Sequence, residues 1–183
     1  PGGWLLRHLR DGSLRSAGAN VVLGQLMRER VTALGVDPQQ IAVIPNWADG
    51  ALLRPVERGA NSLRAEWGLG ERFVVGYSGN LGRVHEFRTV LDAAEALRAQ
   101  ADIVFLFIGG GAQKAGVVAA ARERGPSNVL MQPYQPRESL GQSLSAADVH
   151  LVTLRPELEG LVVPSKFYGV TAVGRPTIFI GDP

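Results

Sequence analysis

The sequence has 183 residues, of which 45% are hydrophobic and 20% charged, so it can bury a core and does not have the composition of a disordered chain. Its formal net charge of +2 is too small to favour nucleic-acid binding, and the absence of cysteine excludes disulfides and thiolate zinc sites. The longest apolar run, Ile103 to Ile108, is far shorter than the roughly 20 residues that a membrane span requires. No signal peptide opens the chain. We therefore expect a cytoplasmic protein.

The first third of the chain predicts a small group of helices and strands. A helical pattern runs from Trp4 to about Arg15, and Asn20 to Leu23 is typical of a short strand. The next helix ends at Gly35, in the position that a C-terminal glycine favours, and Ile41 to Ile44 forms another strand. Residues 46–61 are irregular in pattern and contain Gly50, Pro55 and Gly59, so we interpret them as a linker.

From residue 73 onward, strand and helix patterns alternate. The predicted strands are Phe73–Tyr77, Ile103–Ile108, Val129–Met131, Val149–Thr153 and Thr177–Ile180. Helical patterns follow the first four of them, at about 87–97, 112–124, 140–147 and 165–173. Ile103–Ile108 is apolar on both sides, as a central parallel strand must be. The sequence therefore predicts an α/β fold, with an open parallel Rossmann-like sheet that has helices on both faces.

Ligands of such sheets bind beyond the carboxyl ends of the strands. The segments at those ends are Ser78–Arg83, Gly109–Gly111, Gln132–Gln135 and Arg155–Lys166. Glycines between a strand and a helix allow a phosphate to approach backbone N–H groups, although a single glycine turn is as well explained by a tight bend. Two such turns after consecutive strands favour ligand binding.

Two common nucleotide motifs are absent. The glycines at 76, 79 and 82 do not have the G-x-G-x-x-G spacing of a dinucleotide fingerprint, and the next strand ends in Ile108-Gly109 without an acidic residue for a ribose. The nearest match to a P-loop, from Gly169 to Pro176, lies in and after a helix.

Four segments in chain order resemble a known family. They are Ile44-Pro45-Asn46-Trp47-Ala48-Asp49, then Tyr77-Ser78-Gly79-Asn80-Leu81-Gly82, then Phe107-Ile108-Gly109-Gly110-Gly111 with Lys114, and finally Glu159-Gly160-Leu161 with Pro164-Ser165-Lys166-Phe167-Tyr168 and Gly174-Arg175-Pro176. Together they resemble family 4 glycosyltransferases of the two-domain GT-B fold. The residues around Trp47 and Lys166 are most similar to the corresponding segments of enzymes of bacterial surface-polysaccharide assembly.

The resemblance implies one half of a GT-B fold. Residues 1–45 would be the remnant of an acceptor-side domain, 46–61 a linker and 62–183 the nucleotide-sugar-binding domain. Pro1-Gly2-Gly3 and Gly181-Asp182-Pro183 look like cut points, so we expect a fragment that is inactive alone.

The resemblance also implies the chemistry. The donor would be a nucleotide sugar, usually a UDP-sugar, and the sugar would move with retention to a glycan or lipid-linked acceptor, with no metal or separate cofactor. Glu159 would be the catalytic-site carboxylate that holds a sugar hydroxyl. The donor-binding residues would be Gly79, Asn80, Gly82, Arg83, Gly110, Gly111, Tyr134 and Lys166.

The sequence departs from the family at charged positions. The family often has an arginine and a lysine where Asn80 and His85 stand, so phosphate neutralisation would depend on Arg83 and Lys166. A lysine at a helix start opposes the helix dipole, which favours an anionic partner for Lys166. A second late glutamate of the family is also absent, since Phe167 stands at one spacing and Gly169 at the other.

Several alternatives stay open from the sequence. His85 contacts a phosphate or only begins a helix, and Tyr134 stacks on a base or packs in a turn. A sugar epimerase of the same fold would need an acid–base pair, for which only Glu159 is a good candidate. A non-catalytic nucleotide-binding module is the third alternative, and peripheral contact of the whole protein with a membrane is open.

Overall fold

A computed structural model describes residues 2–124 and 128–181 of the chain and divides it into two compact units. The smaller unit consists of residues 1–46 and 157–163, and the larger unit consists of residues 47–156 and 164–183. These units differ from the predicted ranges in two places. Nearly all of the predicted linker groups with the larger unit, and residues 157–163 group with the smaller one.

The smaller unit is built on two parallel strands. Helix α1 (Gly2–Ser16) precedes strand β1 (Asn20–Val22), and helix α2 (Gln25–Ala33) leads through a short 3-10 turn to strand β2 (Ile41–Val43). Its core is formed by Val22, Val36 and Ile41, with Leu14, Met27, Val31 and Val43 packed around them. The first two turns of α1 expose their apolar side chains, namely Trp4, Leu5, Leu6 and Leu9.

The larger unit is a five-stranded sheet whose strands pair in parallel. Its strands are β3 (Phe73–Ser78), β4 (Ile103–Ile108), β5 (Val129–Gln132), β6 (Val149–Thr153) and β7 (Thr177–Ile180), arranged in the order β5-β4-β3-β6-β7. The helices are α3 (Ser62–Glu66), α4 (Arg88–Ala96), α5 (Lys114–Arg124), α6 (Leu140–Ser145) and α7 (Lys166–Ala172). The chain moves outward from β3 to β5 and then returns to the other side of β3. The sheet therefore reverses its strand order between β3 and β6, which is where open α/β sheets bind ligands.

Helices cover both faces of this sheet, as the apolar pattern of β4 predicts. Phe105 and Phe107 pack with residues of α4 and α5 on one face, whereas Val104, Leu106 and Ile108 pack against α3 and the end of α6 on the other. Leu53, inside the predicted linker, is buried against α6 and α7. Part of that segment is therefore core rather than a spacer.

A buried arginine fixes the amino-terminal edge of the sheet. The Arg64 guanidinium donates to the backbone oxygens of Ala146 at 2.6 Å, Arg72 at 2.7 Å and Gly70 at 2.9 Å. Beside it, the Asp148 carboxylate accepts from the Val74 amide at 2.7 Å. These bonds connect α3, β3 and β6 at the edge opposite the carboxyl ends of the strands.

Candidate functional site

Two glycine turns lie side by side at the carboxyl ends of β3 and β4. The Leu81 amide in the first turn donates to the Gly110 carbonyl in the second at 2.7 Å. Gly109 and Gly111 have φ angles of 137° and 138°, which favour glycine, and a side chain at Gly109 would collide with the Gly79 carbonyl. Close packing of one turn on the other therefore explains both glycines before any ligand is considered.

Asn80 occupies the space that these glycines leave open. Its side chain lies against the α-carbon of Gly111, and its amide nitrogen is 2.9 Å from the position that a β-carbon at Gly82 would take. The Tyr77 hydroxyl donates to the Asn80 carbonyl at 2.8 Å. The structure thus brings together Gly79, Asn80, Gly82, Gly110 and Gly111, five of the predicted site residues.

Gln113, which the sequence analysis did not select, holds the first turn to the start of α5. Its side-chain amide donates to the carbonyls of Gly82 at 2.6 Å and His85 at 3.0 Å, and its backbone amide donates to Leu81. A single glutamine before a helix carries no motif, so only the folded arrangement identifies it.

Tyr134 lies over the second turn. Its hydroxyl donates to the Gly110 carbonyl at 3.2 Å, and its ring is 3.2–3.3 Å from the positions that β-carbons at Gly109 and Gly110 would take. The residue is nevertheless 58% exposed. One part of the ring covers the glycines while the rest is open to solvent, so it can pack in the turn and still offer a stacking surface.

Lys166, the first residue of α7, extends to the first turn. Its ammonium lies 3.5 Å from the centre of the Tyr77 ring, and its Cε is 3.5 Å from the position that a β-carbon at Gly79 would take. The Nζ atom is buried and has no hydrogen-bond partner among the described residues. This burial lowers the pKa of Lys166 to about 7.

His85 is buried beside Lys166. Its Nδ1 donates to the Thr153 carbonyl at 2.6 Å, and its ring meets the Tyr77 ring edge-on, with centroids 5.6 Å apart. Burial, and secondarily the charge of Lys166, lower the pKa of His85 against the opposing effect of the Thr153 hydrogen bond. A neutral imidazole that bridges β3 and β6 accounts for this residue without a phosphate contact.

The remaining predicted residues are Arg83 and Glu159. Arg83 is exposed on the first turn. Glu159 is half-buried in the segment 157–163, which belongs to the smaller unit, whereas the glycine turns and Lys166 belong to the larger one. Within the smaller unit Gly160, which follows Glu159, has a φ of 69° and packs against Arg30.

A cavity of about 360 Å³ lies beside the first turn, between the amino-terminal part of α4 and the length of α5. His85, Phe87, Gln113 and Arg155 contribute to its lining. Residues 2–124 and 128–181 include no cluster of three or more histidines or acids that could hold a metal ion. In the same described residues, no helix is both long and apolar enough to cross a membrane.

Comparison with known proteins finds relatives in bacterial glycan synthesis. The chain is 29% identical over 162 residues to the putative colanic acid biosynthesis glycosyl transferase WcaI of Escherichia coli, covering 87% of this chain and 40% of that protein. It is 33% identical over 181 residues to the probable glycosyltransferase WbjE of Pseudomonas aeruginosa, covering 96% of this chain and 44% of that protein. The chain thus spans less than half the length of these relatives.

Solved structures share the fold. The Anabaena protein HepE in complex with UDP and glucose matches with a TM-score of 0.76 at 17% identity, over 96% of this chain and 48% of its own. The sucrose-phosphate synthase of Thermosynechococcus elongatus matches with a TM-score of 0.74 at 21% identity, over 95% of this chain and 44% of its own. These matches, with the parallel sheet and the helices on both of its faces, confirm the predicted fold class.

A family model described as glycosyl transferases group 1 matches residues 60–164. The matched region is more than half of the chain and contains both glycine turns, Tyr134 and Glu159. The chain therefore belongs to the group 1 glycosyl transferases.

Proposed function

We propose that this chain is the donor-binding part of a retaining glycosyltransferase that moves a sugar from a UDP-sugar to a glycan or lipid-linked acceptor. The observation that carries the proposal is the pair of interlocked glycine turns after β3 and β4, next to the strand-order reversal, with the Lys166 amine buried beside the first turn and without a hydrogen-bond partner among the described residues. A lipid-linked acceptor would bring the whole protein, acting in the cytoplasm, to the inner face of the membrane.

The diphosphate is the part of the donor that this arrangement suits best. Retaining transfer requires that the diphosphate leaving group be stabilised, which is a task for fixed cations and N–H groups. We assign it to the backbone of Gly79–Gly82 with Gly110 and Gly111, to Arg83 and to Lys166. The proposed stabilisation involves no metal.

The nucleoside and the sugar are assigned to other residues. The exposed part of the Tyr134 ring is the proposed stacking surface for the base. Glu159 is assigned to a hydroxyl of the donor sugar from its place in the family motif alone. The relative named for colanic acid biosynthesis and the neighbour crystallised with UDP and glucose support the choice of substrate class.

Titration calorimetry of the chain with UDP, GDP and NAD tests this proposal. We expect UDP to bind most tightly and no sugar transfer by the chain alone, because excluding water and holding an acceptor need a second wall. Arg83→Ala should weaken UDP binding by about tenfold, the usual effect of losing one charge-assisted contact. Arg98→Ala, at an exposed position of the larger unit outside the proposed site, is the matched control. A preference for NAD, or transfer by this chain alone, would overturn the proposal.

A further inference from the structure

The Lys166 ammonium lies in an unusual environment for a cation that is expected to bind phosphate. Its Nζ atom is shielded from solvent and has no hydrogen-bond partner among the described residues. The negative face of the Tyr77 ring lies under it, with the ring centre 3.5 Å away. A ligand therefore cannot contact this nitrogen until the side chain moves.

Among the described residues of the larger unit, the titratable groups that interact with Lys166 offer no counter-charge. Burial lowers the pKa of His85, after β3, and of His150, on β6, and the charge of Lys166 lowers both further. Tyr77 itself has a raised pKa and stays a neutral phenol. A buried amine without hydrogen bonds is unfavourable, and an aromatic face offsets only part of that penalty. A ligand with anionic oxygens would remove this penalty, because it would accept hydrogen bonds from the amine.

The Lys166 side chain is long and flexible enough to leave the Tyr77 ring. Lysine has a flexible four-carbon stem, so Nζ can move several ångströms while the backbone of α7 stays in place. Position 79, against which Cε rests, is a glycine, so no side chain stands between the amine and the first turn.

We propose that the Tyr77 ring is a resting place for the Lys166 amine, which leaves the ring and moves to the ligand diphosphate when the nucleotide binds. The amine carries a full proton in the bound state, and any proton that it lacks in the free chain comes from solvent. This inference rests on the proposed function and adds to it a coupling between nucleotide binding and proton uptake.

The position of Lys166 can be observed directly by NMR. In the free chain, the ring current of Tyr77 should shift the Lys166 Hε signals away from their ordinary position. We expect Tyr77→Phe to keep this shift, because it keeps the ring, and Tyr77→Leu to abolish it. Saturating UDP should return the signals of the wild-type chain to the ordinary position.

Proton uptake is measured by calorimetry in two buffers of different ionisation enthalpy. With a pKa of about 7 in the free chain, Lys166 should take up about one proton per UDP at pH 8 and almost none at pH 6, where it is already charged. Lys166→Met should abolish the uptake at pH 8, whereas Lys114→Met, the control at the other lysine, should retain it. UDP is almost fully ionised at pH 8 and contributes little there, whereas at pH 6 its terminal phosphate is partly protonated and releases protons on binding. At each pH the uptake by Lys166 is therefore the difference between the wild-type chain and Lys166→Met.

The outcomes separate the two proposals. If UDP binds and perturbs the amide signals of Gly79–Gly82, but the Lys166 signals and the proton count do not change, Lys166 stays on the ring and this inference is wrong while the function stands. If UDP does not bind at all, the proposed function fails, and this inference fails with it. Should Tyr77→Leu not fold, the wild-type, Tyr77→Phe and Lys166→Met measurements still decide.

Discussion

The carbonyl oxygen of Gly79 occupies the space in which a side chain at Gly109 would begin. The two residues follow neighbouring strands, and the Gly109 φ of 137° is itself unfavourable for any other residue. The approach of the two turns therefore depends on position 109 being glycine.

Gly109→Ala should consequently destabilise the chain, by roughly 1–3 kcal/mol from backbone strain alone and more from the collision. Chemical denaturation measures this. Gly116→Ala is the matched control, because its β-carbon would meet nothing within 4 Å and alanine is favoured over glycine inside helix α5 by about 0.5–1 kcal/mol. Equal stability of the two variants would show that the turns tolerate separation.

Gln113→Met should loosen the first glycine turn. The substitution keeps the length of the side chain but removes the side-chain donor of the His85 carbonyl and leaves the Gly82 carbonyl with the longer bond from the His85 amide, at 3.2 Å. The loss of a donor typically costs about 1–3 kcal/mol where the acceptor is buried. We expect lower stability together with weaker UDP binding. Gln100→Met, at an exposed position, serves as the control and should change neither. UDP affinity equal to that of the wild-type chain would mean that Gln113 is not needed to shape the turn.

Lys166→Met should affect stability and binding in opposite directions. The folded chain lowers the pKa of Lys166 from 10.5 to about 7, so holding the charged form is costly below pH 7. Between pH 7 and 10.5 the unfolded chain binds the extra proton, so wild-type stability rises with pH across that window. The variant lacks this penalty and should be more stable at pH 6 by on the order of 1–3 kcal/mol, with the difference fading towards pH 10.

The same substitution should reduce UDP affinity by about tenfold or more, since it removes one charge-assisted contact. Denaturation at pH 6 and pH 9, with UDP titration at pH 7, covers both effects. A variant that is less stable at pH 6 would show that the lysine stem contributes more by packing than the buried charge costs.

His150 should make the larger unit sensitive to acid. It is 1% exposed, its Nε2 donates to the Leu144 carbonyl at 2.8 Å, and burial lowers its pKa to about 4. In the unfolded chain His150 is protonated as the pH falls below about 6.5, whereas in the folded chain it stays neutral until about pH 4. The free energy of unfolding therefore decreases as the pH falls through this interval. The loss should reach roughly 2–3 kcal/mol.

His150→Gln should flatten this part of the stability profile, because the glutamine amide nitrogen matches the position of Nε2 and retains a donor for Leu144 but does not titrate. His8→Gln, at the exposed histidine of α1, is the control and should leave the profile unchanged. Denaturation midpoints between pH 4 and pH 7 provide the comparison. A profile that keeps its slope in the His150 variant would assign the acid sensitivity to other groups, with His85 as the next candidate.

Glu159→Gln in the full-length enzyme should lower turnover strongly while UDP affinity changes little. A carboxylate that holds a sugar hydroxyl helps most when the sugar approaches its cationic transition state. Turnover and UDP binding are to be measured on the same preparation. Glu138→Gln, at an exposed position, is the control for loss of one negative charge. Equal losses of binding and turnover would assign Glu159 to the nucleotide or to the fold.

The parts of the fold that could be predicted are those with strong local patterns. Strand β4 has the predicted bounds because its six residues form an uninterrupted apolar run between polar segments. Helix α3 was not predicted, since Ser62–Glu66 is only five residues long and its amphipathic pattern is too short to detect. Leu53 was assigned to a linker because local glycines and prolines do not reveal that it packs against α6 and α7.

The sequence could predict that the candidate-site residues lie at strand ends, but it could not predict their contacts. Glycines at strand ends are visible in the sequence, whereas the contact between Tyr77 and Lys166 joins residues that are far apart in the chain. The hydrogen bonds of Gln113 to the first turn also join distant parts of the chain, and they depend on how far each turn extends beyond its strand. Such relationships depend on strand register, which no single segment specifies.

Because the Asn80 side chain packs against Gly111, the residues at positions 80 and 111 should constrain each other in evolution. The amide fills the volume in which a side chain at 111 would stand, so the two positions share one space. Related chains that acquire a β-carbon at 111 should therefore carry a glycine or alanine at 80, and chains with a long basic residue at 80 must direct it away from 111. The two positions should accordingly covary across homologues, with a side chain at 111 only where the residue at 80 is small.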